Sequence, residues 1–108
     1  MFRVGIGQDS HKLKAGGGLI LGGVEVSQEF HLEADSEGDV IIHSLCNALS
    51  TAIGGGSLDT WAGEMFKDGI TDSREFLKVI IKRVKAEGYR VVNVSVAVEA
   101  GKPKLESF

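Results

Sequence analysis

Asp39-Val40-Ile41-Ile42-His43-Ser44-Leu45-Cys46-Asn47-Ala48-Leu49-Ser50-Thr51-Ala52 is the stretch on which the reading of this 108-residue chain turns. Ile41, Leu45, Ala48, Leu49 and Ala52 recur at the three- and four-residue steps of a helix with one apolar face. Gly54-Gly55-Gly56 stops it. Upstream, Asp35 or Ser36 is placed to cap the helix, and Ser36 with Asp39 three residues on resembles a capping box. Acidic groups at a helix start are favoured by the macrodipole by roughly 0.3–1 kcal/mol each, which accounts for Asp39 without any functional role. The functional reading of Asp35-Ser36-Glu37-Gly38-Asp39 is a mobile loop whose polar groups contact a phosphorylated ligand.

Outward from this helix the other elements fall into place. Phe2, Val4 and Ile6 alternate with Arg3, Gly5 and Gly7, the period of a strand with one buried face. Leu19-Ile20-Leu21 and Val24-Glu25-Val26 flank Gly22-Gly23, a two-residue hairpin signal because both glycines accept positive φ. A polar loop is expected from Gln28 to Glu37. Thr71-Asp72-Ser73 announces a second helix with Phe76, Leu77, Ile80, Ile81 and Val84 on one face, ended by Gly88. Val92, Val94, Val96 and Val98 then alternate with Asn93, Ser95, Ala97 and Glu99, the cleanest strand pattern in the chain. The order strand, hairpin, helix, helix, strand predicts an α+β fold. In it, a small mixed sheet carries two amphipathic helices on one face.

Composition narrows the function. The length suits a single domain. Twelve basic against fifteen acidic residues leave a net charge of −3, without the basic excess that grips nucleic acid. The longest aliphatic runs are three residues, so no membrane span is expected, and the N-terminus lacks the apolar core of a secretion signal. A soluble, cytoplasmic protein is the expectation. One cysteine excludes an internal disulfide framework and any cysteine-rich zinc or iron–sulfur site. Cys46, among apolar neighbours with no base beside it, reads as core packing rather than a nucleophile. Fifteen glycines are about twice the usual share of roughly 7%, and their clustering marks tight turns or close backbone approaches.

Asp9 and His11 lie two apart after the first strand, so in extended chain their side chains project to one side. His43 lies in the first turns of the helix, between Ile42 and Leu45. Two imidazoles and one carboxylate suit zinc and leave a fourth position open for substrate. The competing readings are plain: a lone imidazole beside an apolar helix face is more often a hydrogen-bonded core residue, and Asp-x-His also shapes loops. His31 reads as solvated. Gly54-Gly55-Gly56 lacks the following Lys-Ser/Thr of a P-loop.

Several landmarks then occur in one order: Gly7-Gln8-Asp9-Ser10-His11, the Gly22-Gly23 hairpin, Ser36 through Leu45, Asp72-Ser73-Arg74, and Ala100-Gly101-Lys102-Pro103-Lys104. This pattern resembles the 2-C-methyl-D-erythritol 2,4-cyclodiphosphate synthases of the non-mevalonate isoprenoid pathway, over essentially the whole chain. The resemblance implies that Asp9, His11 and His43 are the ligands of a divalent metal, zinc foremost. It implies a phosphorus–oxygen lyase acting on 4-diphosphocytidyl-2-C-methyl-D-erythritol 2-phosphate to give the cyclic diphosphate and CMP. Ser36 and Glu37 match the loop over the methylerythritol; Ala100, Gly101, Lys102, Pro103, Lys104 and Leu105 match the turn that receives cytosine. A homotrimer with its sheets facing inward is also implied.

The chain departs from the family pattern in three places. Asp35-Ser36-Glu37 stands where the family usually reads His-Ser-Asp, and Gly55-Gly56-Ser57-Leu58 where an aspartate usually follows glycine. A carboxylate beside bound phosphates repels them unless it is protonated or turned away. The Thr-Thr-Glu segment, which in the family helps hold phosphate and a second divalent ion (magnesium or manganese), is not in these residues. The expectation is therefore a single cyclodiphosphate-synthase-like domain over residues 1–108, C-terminally incomplete relative to the family. Two alternatives stand beside the synthase: a non-catalytic trimer that binds metal and cytidine nucleotide, and a metal-dependent phosphohydrolase.

Overall fold

The computed structural model describes residues 1–34 and 38–99. Four short strands come first: β1 (Leu13–Ala15), β2 (Leu19–Leu21), β3 (Val24–Ser27) and β4 (Phe30–Leu32). Four helices follow: α1 (Val40–Ala52), α2 (Leu58–Trp61), α3 (Gly63–Lys67) and α4 (Ser73–Ala86). The strands make two separate antiparallel pairs rather than one mixed sheet. β2 and β3 form the anticipated hairpin, turned by Gly22 and Gly23 at φ of +62° and +81°. β1 and β4 pair in the register Leu13 with Leu32 and Ala15 with Phe30. β4 lies within the stretch read as a polar loop, and His31 within it is half-buried, its Nδ1 2.6 Å from the Gly16 carbonyl.

The core lies between α1 and α4. Phe76 and Ile80 of α4, fully buried, meet Ile42 and Cys46 of α1 together with Leu58 and Ala62. The Phe66 and Phe76 rings meet in a T-shaped pair with their centroids 5.1 Å apart. Burying a side chain such as Phe76 or Ile80 stabilises the fold by about 1.5–3 kcal/mol. Both long helices were legible in the sequence, but the buried stripe of α1 is Ile42, His43, Cys46 and Ser50, turned from the expected Ile41–Leu45–Ala48 line. The cap also differs. Asp39, not Asp35 or Ser36, is the N-cap of α1, its side chain accepting from the Ile42 amide. Short polar side chains at several successive positions suit a cap, and sequence alone does not rank them.

The outer segments overturn one expectation. Residues 2–7 and 91–99 enter no strand ladder among the described residues. Residues 91–99 are exposed throughout, whereas in residues 2–7 the alternation is present with its faces reversed. Gly5 and Gly7 lie against α1, while Phe2, Val4 and Ile6 are 94%, 92% and 86% exposed. A Cβ on Gly5 would meet the Ala48 carbonyl oxygen, and one on Gly7 the Ser44 carbonyl oxygen and the Ala48 amide nitrogen. Period-two patterning reports a two-faced chain but says nothing of whether a hydrogen-bonded neighbour exists or which face turns inward. Among the described residues, no helix is long and apolar enough to cross a membrane.

Candidate metal centre and family relationship

Three elements deliver the site. Gly7 brings the chain against the α1 backbone, and Asn47 of α1 donates from Nδ2 to the Gln8 carbonyl at 3.2 Å, fixing the residue before Asp9. The same Asn47 accepts the Leu58 amide on Oδ1 at 2.6 Å, which ties the start of α2 to this corner. Asp9 and His11 then reach the N-terminal end of α1, where His43 is 4% exposed. Asp39 holds that end in place: its Oδ1 accepts from Gly22 N at 2.9 Å, and its Oδ2 from Gly23 N at 2.7 Å. The macrodipole reading of Asp39 is thus joined by a stronger role, since one buried carboxylate grips both the hairpin turn and the helix.

Asp9 Oδ2 lies 3.0 Å from His11 Nε2 and 3.3 Å from His43 Nδ1. One ligand atom from each of the three residues falls within 4.8 Å of the other two. Asp9 Oδ2 and His11 Nε2 are both hidden from solvent, and neither takes a hydrogen bond. Leaving such atoms unsatisfied costs about 1–3 kcal/mol each, and a cation among them would remove that cost. Two neutral imidazoles and a carboxylate suit a divalent transition metal with one coordination position left open. His43 is braced on its other side: Nε2 lies 2.9 Å from Ser73 Oγ, and its ring meets the Phe76 ring at 5.8 Å. His43 is a buried core residue and also faces Asp9, because the two ring nitrogens have different neighbours.

The model of the YgbB family matches residues 2–108. The chain belongs to the YgbB family. Among curated relatives, the 2-C-methyl-D-erythritol 2,4-cyclodiphosphate synthase of Vibrio campbellii is 41% identical over 97% of this chain and 67% of its own length. That of Rhodopirellula baltica is 38% identical over 96% of this chain and 63% of its own. The chain thus spans about two thirds of the length of these curated relatives. A solved cyclodiphosphate synthase in a CDP-bound form superposes with a TM-score of 0.88 at 30% identity, over 97% of this chain and 71% of that one. The bifunctional IspDF from Campylobacter jejuni superposes with a TM-score of 0.86 at 34% identity, over 98% and 29%.

Of the expected site residues in this YgbB chain, the structure brings Asp9, His11 and His43 together. Ser36, Glu37, Ala100, Gly101, Lys102, Pro103, Lys104 and Leu105 lie outside the described residues. Cys46 is not a nucleophile: burial foremost, with the nearby Asp39 charge, pushes its thiol up to about 12. The bracing of His43 from α4 was missed in the sequence. Asp72-Ser73 signalled a helix start there, and nothing in the spacing said that Ser73 would face a histidine thirty residues away.

Proposed function

We propose that this chain is a cytoplasmic cyclodiphosphate synthase acting on 4-diphosphocytidyl-2-C-methyl-D-erythritol 2-phosphate. The single observation that carries this reading is the convergence of Asp9, His11 and His43, with two solvent-hidden atoms lacking any hydrogen bond, in a member of the YgbB family. Asp9, His11 and His43 are the ligands in this reading, and a divalent cation bound to them, zinc foremost, would polarise the β-phosphate and offset repulsion between two anionic phosphates. The substrate's 2-phosphate oxygen forms a bond to the β-phosphorus as the bridge to the α-phosphorus breaks. The ring closes and CMP leaves with the bridging oxygen and its electron pair. The chain's own contribution is positioning: a rigid corner that holds the diphosphate while the 2-phosphate comes in line. Ser36 and Glu37 contact the methylerythritol, and Ala100 through Leu105 receive the cytosine. Magnesium or manganese is the second ion this reaction uses, and these residues do not include its ligand segment.

A homotrimer belongs to the same reading. Phe2, Val4 and Ile6 stand exposed, as do Val92, Val94, Val96 and Val98, a run of apolar side chains that assembly would cover. Sedimentation of the chain tests the assembly directly.

Incubation of the chain with the substrate, zinc and magnesium is expected to yield CMP and the cyclic diphosphate. CMP with no cyclic product, or release of inorganic phosphate, would replace the synthase with a phosphohydrolase. Binding of CDP without turnover would leave a metal- and nucleotide-binding relative. His43→Ala is expected to abolish tight metal binding; unchanged affinity would remove His43 from the ligand set.

A further inference from the structure

The stripe that spacing marks as the buried face of α1 lines an open cleft. Ile41, Leu45, Ala48, Leu49 and Ala52 are half-buried and form its floor. Residues 1–9 make one wall and residues 89–99 the other. A part of about 240 Å³ lies between residues 5–9 and 94–99, and a part of about 750 Å³ between residues 1–5 and 89–95. The two parts share Gly5, Leu45, Ala48, Val94 and Ser95, so they are continuous. Numbers rise along both walls from the wide part to the narrow one, so the two segments run in the same direction.

Both walls carry the alternation of a strand, and neither has a strand's partner. Among the described residues, no backbone group of residues 2–7 or 91–99 pairs with another backbone group. Such unpaired edges are templates for pairing with another extended chain. Side chains nevertheless hold the walls side by side at the wide end. Arg3 donates from Nε to the Tyr89 hydroxyl at 2.9 Å and from Nη1 to the Ala52 carbonyl at 3.2 Å. Its guanidinium also lies 5.3 Å from the centre of the Tyr89 ring. Two parallel walls tied together, yet not bonded to each other, leave a gap with aliphatic surface below and backbone donors and acceptors on either side. That combination is the one used in β-strand addition.

We propose that the cleft is the seat of one inserted β-strand, which bonds residues 2–7 on one edge and residues 91–99 on the other. Its alternate side chains are apolar and lie on Ile41, Leu45 and Ala48. The source to which the length points is the part of the family's chain that these residues do not match. This chain matches 67% of the Vibrio campbellii synthase, which leaves about a third of that relative to supply the strand. With the strand in place, the two extended segments become members of one sheet covering α1 on the side away from α4. Phe2, Val4 and Ile6 still point outward, so strand insertion and assembly use different faces. Asp9 lines the narrow part, so the inserted strand also borders the candidate metal cluster.

The test mixes the 108-residue chain with overlapping short peptides that together span the unmatched third of the Vibrio campbellii synthase. A peptide with apolar residues at alternate positions is expected to bind, and to slow amide exchange in residues 2–7 and 91–99 together. Leu45→Asp places a carboxylate on the floor and is expected to weaken that peptide at least about tenfold. Should Leu45→Asp fail to fold, proline at exposed positions of the wall decides. Neighbouring amides of a strand point to opposite edges, so one of Val94→Pro and Ser95→Pro is expected to weaken binding at least about tenfold and the other to spare it. No binding by any peptide would overturn the proposal, as would protection of one wall alone or indifference to both prolines. Protection of both walls that rises with the chain's own concentration, without peptide, would give the seat to a second copy and overturn the proposed source. Neither metal nor substrate enters these measurements, so their outcome is independent of the synthase reading.

Discussion

Helix α1 is packed against two of its neighbours by opposite means. Towards α4 the contact is made of large side chains: Ile42 and Cys46 against Phe76 and Ile80. Towards residues 2–9 it is made by having no side chains, since Gly5 and Gly7 bring backbone against the carbonyls of Ala48 and Ser44. The first kind of contact loses stability in proportion to the volume removed. The second admits nothing larger than hydrogen. The candidate metal-binding cluster sits where the two meet, taking His43 from the helix and Asp9 and His11 from the glycine-packed segment. Stability and site geometry are therefore separable by mutation.

Four experiments test that contrast. Phe76→Ala should cost the most, about 3–5 kcal/mol by chemical denaturation, because it empties the centre of the side-chain interface. Gly7→Ala should cost less stability, about 1–3 kcal/mol, yet it should displace Asp9 and His11 and abolish tight cobalt binding. If Gly7→Ala bound cobalt like the parent, the glycine contact would not be what places the ligands. Acid titration comes third. Arg74 holds the Asp72 carboxyl below its ordinary value, chiefly through the side-chain hydrogen bond. A carboxyl depressed on folding stabilises the fold above its unfolded pKa, and that contribution is lost as pH falls through the folded pKa. Arg74→Gln should therefore raise the Asp72 pKa followed by NMR. It should also leave a smaller loss of stability on acidification, since less of the depression remains to be lost. Phe2→Ser should be the mildest, within about 0.5 kcal/mol for an isolated chain, because the ring is 94% exposed. A loss that grows with protein concentration would instead reveal that the ring is covered in an assembly.

The sequence made some parts of this arrangement plain and concealed others for definite reasons. The α1 and α4 helices and the Gly22-Gly23 hairpin were readable because periodicity, caps and turn chemistry are local. The pairing of β1 with β4 was not, since Lys14 and His31 look like loop residues and only their register makes them a ladder. The segment from Phe2 to Gly7 showed its period but hid its direction. An apolar side chain in such a pattern argues for burial, whereas here the glycines are turned inward by the nearness of α1. The Asp9–His11 pair was visible as a motif. His43 alone was ambiguous between core and ligand, and only the family pattern joined it to the pair. Ser73 was invisible, because a contact across thirty residues leaves no trace in spacing.

Asp39 carries a consequence for how the molecule opens. One carboxylate receives the amides of Gly22, Gly23 and Ile42, which belong to two different elements. The hairpin turn and the first turn of α1 cannot loosen separately without leaving donors stranded on both. Their amide protons should exchange with deuterated solvent at one common rate, and His43, one residue beyond Ile42, would lose its place whenever that shared latch lifts.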